Sequence, residues 1–118
     1  MNITLPLPPS ANRIWRMYRN IVVLSKEARE YKELAYWKAK EQGAKPIEGP
    51  VIMSGVFYFP NKRGDLSNRI KILEDAMEGA CYLDDKQIQG IQWSKEIDKG
   101  NPRVEFSVHA VMEANDDD

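Results

Sequence analysis

Residues 51–80 read VIMSGVFYFPNKRGDLSNRIKILEDAMEGA, and a change of period inside this stretch decides the fold. Val51–Phe59 is rich in β-branched and aromatic residues, the composition of a central strand, and Pro60 closes it. Residues 61–64 form a basic turn. From Asp65 onward the period shifts. Leu66, Ile70, Leu73, Met77 and Ala80 recur at the i, i+4, i+7 spacing of a helix with one apolar stripe, which predicts a helix over 65–80.

Residues 82–86 then read as a turn, 88–96 as a strand, 98–102 as a turn, and 103–111 as a last strand with Val104, Phe106 and Val108 alternating inward. Toward the N-terminus, the segment 46–50, bounded by two prolines, is a connector. A first helix is expected from an N-cap at Ser25 to about Gln42, with Ala28, Tyr31, Ala35 and Ala39 near one face and Gly43 as its stop. Residues 2–7 alternate as a first strand ended by Pro8 and Pro9. Segment 8–24 has no clear period and reads as an ordered loop with a short strand at Ile21–Leu24. The order β, (β), α, β, α, β, β predicts an α+β fold, two helices packed on one mixed β-sheet.

The chain has 118 residues, 42% hydrophobic and 30% charged, which suits one domain over 1–112 followed by an acidic, disordered tail at 113–118. Its net charge of −1 averages over an uneven distribution. The tail EANDDD holds four of the 18 acidic residues, so residues 1–112 carry 14 acidic against 17 basic, a net of +3. Segment 12–45 carries nine Arg or Lys against four Glu, and local field matters more to a polyanion than whole-chain charge. A single cysteine, Cys81, excludes an intramolecular disulfide and a Cys-rich zinc site. The single histidine, His109, is far from it in sequence and reads as structural. There is no long apolar run and no signal-peptide pattern, so no membrane role and a cytoplasmic location are expected.

The densest polar cluster surrounds the second helix. Asp65 stands at its start, and the helical phase places Asn68, Lys71 and Asp75 on one face, away from the apolar stripe. Asp84 and Asp85 follow in the turn before the next strand. Carboxylates from a helix start and a strand–turn junction can converge, and such a group is costly unless a cation occupies it. Hard oxygen ligands suit Mg²⁺ or Mn²⁺, and Lys71 could contact a phosphate. The same residues also serve a plain structural role: Asp65 as a cap, Lys71 and Asp75 as an exposed i,i+4 pair, Asp84 and Asp85 as turn residues. A second cluster, Asn12-Arg13-Ile14-Trp15-Arg16-Met17-Tyr18-Arg19, spaces Arg13, Arg16 and Arg19 three apart with aromatics between them. This suits phosphate contacts with base stacking, or a surface loop whose Trp15 packs inward. Lys62 and Arg63 stand beside Asp65.

At these residues the chain resembles the RusA family of phage and bacterial crossover-junction endodeoxyribonucleases. Leu5-Pro6-Leu7-Pro8-Pro9-Ser10-Ala11-Asn12-Arg13 resembles the family's L-P-x-P-P-S-x-N-R opening. Gly64-Asp65-Leu66-Ser67-Asn68-Arg69-Ile70-Lys71, then Asp75-Ala76-Met77, then Leu83-Asp84-Asp85-Lys86-Gln87-Ile88 resemble its D-x-D-N-x-x-K, D-A-L and D-D-x-Q-[VI] segments, in the same order and at similar spacing. Such blocks in register are far more specific than any one short motif.

The resemblance implies a homodimer that depends on Mg²⁺ or Mn²⁺ and resolves four-way or branched DNA by paired nicks in recombination and repair. Carried over by position, Asp65 and Asp85 are metal-binding carboxylates and Lys71 is the essential basic residue. Asp84 and Ser67 complete the metal set, and Asn68 and Asp75 support it. Arg13, Arg16, Arg19, Lys62, Arg63 and Arg69 are the DNA-contacting cations. Ser67 departs from the pattern, standing where the family has its second Asp; its hydroxyl can ligate Mg²⁺ but brings no charge. Two readings follow: a resolvase in which Asp84 or Asp75 supplies the missing carboxylate, or a catalytically weakened or inactive branched-DNA-binding protein on the same scaffold.

Overall fold

The computed structural model describes residues 1–10, 15–18 and 21–112, with the backbone alone for 15–18 and 21–24. Its elements in chain order are β1 (Asn2–Leu5), β2 (Trp15–Tyr18), β3 (Ile21–Leu24), α1 (Lys26–Glu41), β4 (Val51–Phe59), α2 (Leu66–Ala76), a 3-10 turn at Asp85–Gln87, β5 (Ile88–Ile97) and β6 (Arg103–Ala110). Strands β1, β6, β4 and β5 form one four-stranded sheet in that order. The sheet is mixed, because β5 runs parallel to β4 while β6 is antiparallel to both β4 and β1. The α+β architecture expected from the pattern is present.

Several boundaries differ from the pattern. Trp15–Tyr18 is a strand where a loop was expected, paired antiparallel with β3 in a separate two-stranded sheet. Its alternation is hidden by arginine at every third position, a spacing that matches neither strand nor helix. The first strand ends at Leu5, before Pro6 rather than before Pro8, since a proline cannot donate to the ladder. The second helix stops at Ala76, four residues early. Met77 takes the C-cap, and Gly79, at φ 84°, turns the chain. Met77 and Ala80 are still fully buried, so the apolar period continues through a turn and imitates helix.

Helix α1 is built as its sequence indicates. Ser25 caps it by accepting from Ala28 N–H at 3.1 Å, and Ala28, Tyr31, Ala35 and Ala39 are all buried. Gly43 lies just past the C-cap Gln42 with φ 93°, a conformation glycine adopts without penalty.

The register sorts the sheet into two faces. Met53, Phe57 and Phe59 on β4 share one face with Val108 and Val104 on β6, and with Ile3 and Leu5 on β1; all are buried. Ile72, Leu73 and Ala76 of α2 belong to the same core, with the α1 residues beside them. Trp93 of β5 lies over Gly55, with its ring centroid 5.1 Å from that of Phe57 and 6.0 Å from that of Phe106. A Cβ at Gly55 would come within 2.2 Å of the Glu105 carbonyl, so no larger residue fits where β4 and β6 cross so closely. The opposite face carries Thr4, Ile52 and His109, all three exposed. Among the described residues no helix is long and apolar enough to cross a membrane.

Candidate functional site

Helix α2 has polar groups gathered at both ends. At its start, Asp65 is the N-cap. One carboxylate oxygen, Oδ1, accepts from the backbone N–H of Ser67 at 2.9 Å and from its hydroxyl at 2.8 Å. The other, Oδ2, accepts from the Asn68 side-chain amide at 2.8 Å. These bonds, led by the Ser67 hydroxyl and aided by the nearby Lys95 charge, hold the Asp65 carboxyl below the ordinary aspartate range. The turn before it is bent at Gly64, φ 109°, where a Cβ would meet the Phe59 ring at 2.8 Å. Lys62 and Arg63 in this turn are exposed.

Past the other end of α2, Glu78, Asp84 and Asp85 come together, with one carboxylate oxygen of each within 4.8 Å of the others. Capping builds this group. Asp84 caps the 3-10 turn by accepting from Lys86 N–H at 2.9 Å, a bond that leads in lowering the Asp84 carboxyl from its ordinary value. Glu78 accepts from the Asp85 N–H at 3.1 Å. Gln87 pins the whole turn: its carbonyl accepts from Leu83 and Asp84 N–H at 2.7 and 2.9 Å, and its amide donates to the carbonyls of Ile47 and Gly49 at 2.7 and 2.8 Å. The glutamine of the D-D-x-Q segment is thus the residue that fastens the acidic turn to the 46–50 connector.

Asp85 also lines a shallow cleft of about 300 Å³ with Glu74, Ile88, Gln89, Gly90 and Ile91, along the outer edge of β5. Glu74 is half-buried, and burial, followed by the charges of Asp75 and Asp85, pushes its carboxyl above the ordinary value while Lys71 opposes the shift. Lys71 itself is exposed. Sequence reasoning missed Glu74 and Glu78. Neither stands out in the sequence pattern, and it is the reversal of the chain after Ala76 that brings Asp85 back beside Glu74 and Glu78.

The sites expected from sequence are therefore brought together in part. Asp84 and Asp85 stand in one group with Glu78, while Asp65, Ser67 and Asn68 form another. The Asp65 group caps the start of α2 and the other lies past its end, and among the described residues Asp65 does not join the three-carboxylate cluster. Arg69 is occupied: it donates to the Pro8 carbonyl, and its guanidinium lies 4.7 Å from the centroid of Phe59. In this position it tethers the N-terminal segment. Asn12, Arg13 and Arg19, the side chains of Trp15 and Arg16, and the tail at 113–118 lie outside the described residues.

Three hard oxygen donors within 4.8 Å, with no His or Cys among them, suit an oxygen-preferring divalent cation such as Mg²⁺ or Mn²⁺ rather than zinc. Carboxylates past one end of α2 and exposed Lys62 and Arg63 before the other suit contact with a phosphodiester backbone on an α+β scaffold. The chain matches the family model for endodeoxyribonuclease RusA over residues 6–109 and belongs to that family. No curated protein matches the chain. Family membership makes DNA the partner and endonucleolytic hydrolysis the reaction class.

Proposed function

We propose that this protein is a Holliday-junction resolvase, a homodimer that nicks four-way and related branched DNA in bacterial or phage recombination and repair. The observation that carries the proposal is the Glu78/Asp84/Asp85 oxygen cluster, held by a capping box and a backbone bond in a chain of the endodeoxyribonuclease family.

A divalent cation at these carboxylates supplies Lewis acidity and an acidified water. The chain's own residues do the rest. Asp84 and Asp85, with Glu78, hold the cation, and Glu74 adds negative charge behind them. Lys71, exposed on the α2 face between the two acidic ends, meets phosphate charge as it develops. Lys62 and Arg63 grip the backbone beside Asp65, and Arg13, Arg16 and Arg19 are further cations for DNA.

A homodimer resolves the separation between Asp65 and Asp85. Strand β5 is an edge of the sheet. It carries Ile91 and Ile97, about half exposed, on the face it shares with Met53 and Phe59 of β4. Asp85 precedes the start of β5, while Lys95 near its end contacts the turn that presents Asp65. Two β5 edges paired antiparallel about a two-fold axis set the start of one strand beside the end of the other. Asp85 of one copy then faces Asp65 of the second copy, twice over, which suits the opposed strands of a four-way junction.

Ser67 supports a second reading. Its hydroxyl is engaged by Asp65 and adds no charge to the site, so the same scaffold could bind branched DNA without cutting it. Cleavage of a synthetic four-way junction in Mg²⁺ or Mn²⁺ by wild type, Asp65→Asn and Ser67→Asp, with a gel shift in EDTA, separates the readings. Paired nicks abolished by Asp65→Asn support the resolvase. Binding without cutting, with cutting gained in Ser67→Asp, supports the binding protein. Failure to bind the junction at low salt sinks both.

A further inference from the structure

A lysine on the edge strand of a sheet ordinarily holds its ammonium in water and discourages other strands from pairing. Lys95 does not. Its Nζ crosses the face of Phe59, 4.4 Å from the ring centroid, and donates to the carbonyls of Lys62 and Gly64 at 2.9 and 3.1 Å. These carbonyls bracket Arg63, and the second belongs to the residue directly before Asp65. Within the turn itself Arg63 N–H donates to the Asn61 side chain at 2.9 Å. Gly64 sits against Phe59 so closely that no side chain fits there. Among the described residues the hydrogen bonds that tie this turn to β5 are those of Lys95. A compact ammonium carries three donors, enough to serve two carbonyls and keep the charge over a ring.

We infer that Lys95 is a positioning residue: by fastening the 62–64 turn to β5 it sets where Asp65 stands relative to the edge strand. The activity arm of its test rests on the nuclease reading above; the structural arm does not. Lys95 is half-exposed at most, so the competing role is a direct phosphate contact, and the two roles leave different traces.

The test uses the full chain with Lys95→Met and Lys95→Arg. In metal-free protein, Lys95→Met should speed amide exchange across residues 61–66 by about tenfold or more, the loss expected of a charge-assisted hydrogen bond, and Lys95→Arg should restore part of the protection. Junction affinity and its salt slope in EDTA should be unchanged, while kcat for nicking falls about tenfold at constant KM. Unchanged exchange over 61–66 in Lys95→Met overturns the inference. So does weaker junction binding with a salt slope reduced by about one, which marks a phosphate contact. Should Lys95→Met fail to fold, Lys95→Gln takes its place in the same measurements. A wild type that cuts no junction defeats the nuclease reading, and the exchange arm still decides the role of Lys95.

Discussion

Ser67 donates twice to a single oxygen of Asp65, from its backbone at 2.9 Å and from its hydroxyl at 2.8 Å. The residue that departs from the family pattern is therefore bound to the carboxylate that keeps to it. The hydroxyl leads in holding the Asp65 carboxyl below 3.8. A carboxyl lowered on folding contributes stability above its unfolded value, and that contribution is lost as pH falls through the folded value. Ser67→Ala should lower the thermal midpoint slightly at pH 7, by roughly 1–2 °C, and the difference from wild type should vanish on acidification below the Asp65 value. A pH series of melting curves in EDTA checks this; a difference that persists or grows in acid counts against it.

Asp85 and Glu78 meet through the Asp85 N–H as well as through their carboxylates. A cation that binds only the folded state must raise the midpoint. Adding millimolar Mn²⁺ should therefore raise the wild-type midpoint, while Asp85→Asn and Glu78→Gln should each lose most of that rise and melt no lower than wild type in EDTA, since each removes repulsion. Differential scanning calorimetry with and without metal makes the measurement. A full Mn²⁺ response in Asp85→Asn would remove Asp85 from the metal set.

The surroundings of Glu74 disfavour its charged form. Burial raises its carboxyl above 4.5, with Asp75 and Asp85 adding to the effect. A raised value means stability that is complete below the unfolded value and is lost as pH climbs through the folded one. Glu74→Gln should thus melt higher than wild type at pH 7 without metal, by about 2 °C because half of the side chain is in water and its charge is screened. The gain should shrink to nothing below pH 4.5. A loss of stability at pH 7 would show instead that the Glu74 charge is needed in the metal-free protein.

Cys81 is fully buried, with its Sγ 3.7 Å from the Met77 sulfur, and burial pushes the thiol up to about 12. The thiolate is the reactive form. At pH 8 an alkylating reagent should therefore label the native protein at least about a hundredfold more slowly than the denatured chain. Labelling followed by mass spectrometry reads this directly, and rapid native labelling would place Cys81 in a region that opens readily.

Much of the architecture is legible because local patterns and tertiary burial agree. Ala28, Tyr31, Ala35 and Ala39 share a helical face and are all buried. Val51–Phe59 reads as a central strand, and the register places β5 on one side of it and β6 on the other. Where pattern and structure part, the apolar period misleads: Met77 and Ala80 keep the spacing of α2 but are buried by a turn. Sheet order is not local at all, because β4 takes its parallel partner from beyond a helix and an acidic turn.

The candidate site divides along the same line. The sequence by itself determined the chemistry on offer: the carboxylates Asp65, Asp84 and Asp85, the cation Lys71, and the motif order that places the chain in its family. Tertiary structure alone decided which of them meet. The reversal after Ala76 turns Glu78 onto Asp85, and Gln87 locks the acidic turn to the 46–50 connector. Asp65 stays at the start of α2, and Arg69 is drawn inward to Pro8 and Phe59. The physical reason is that hydrogen-bonding capacity and charge belong to each residue type, whereas proximity depends on how rigid helices and strands pack around one core.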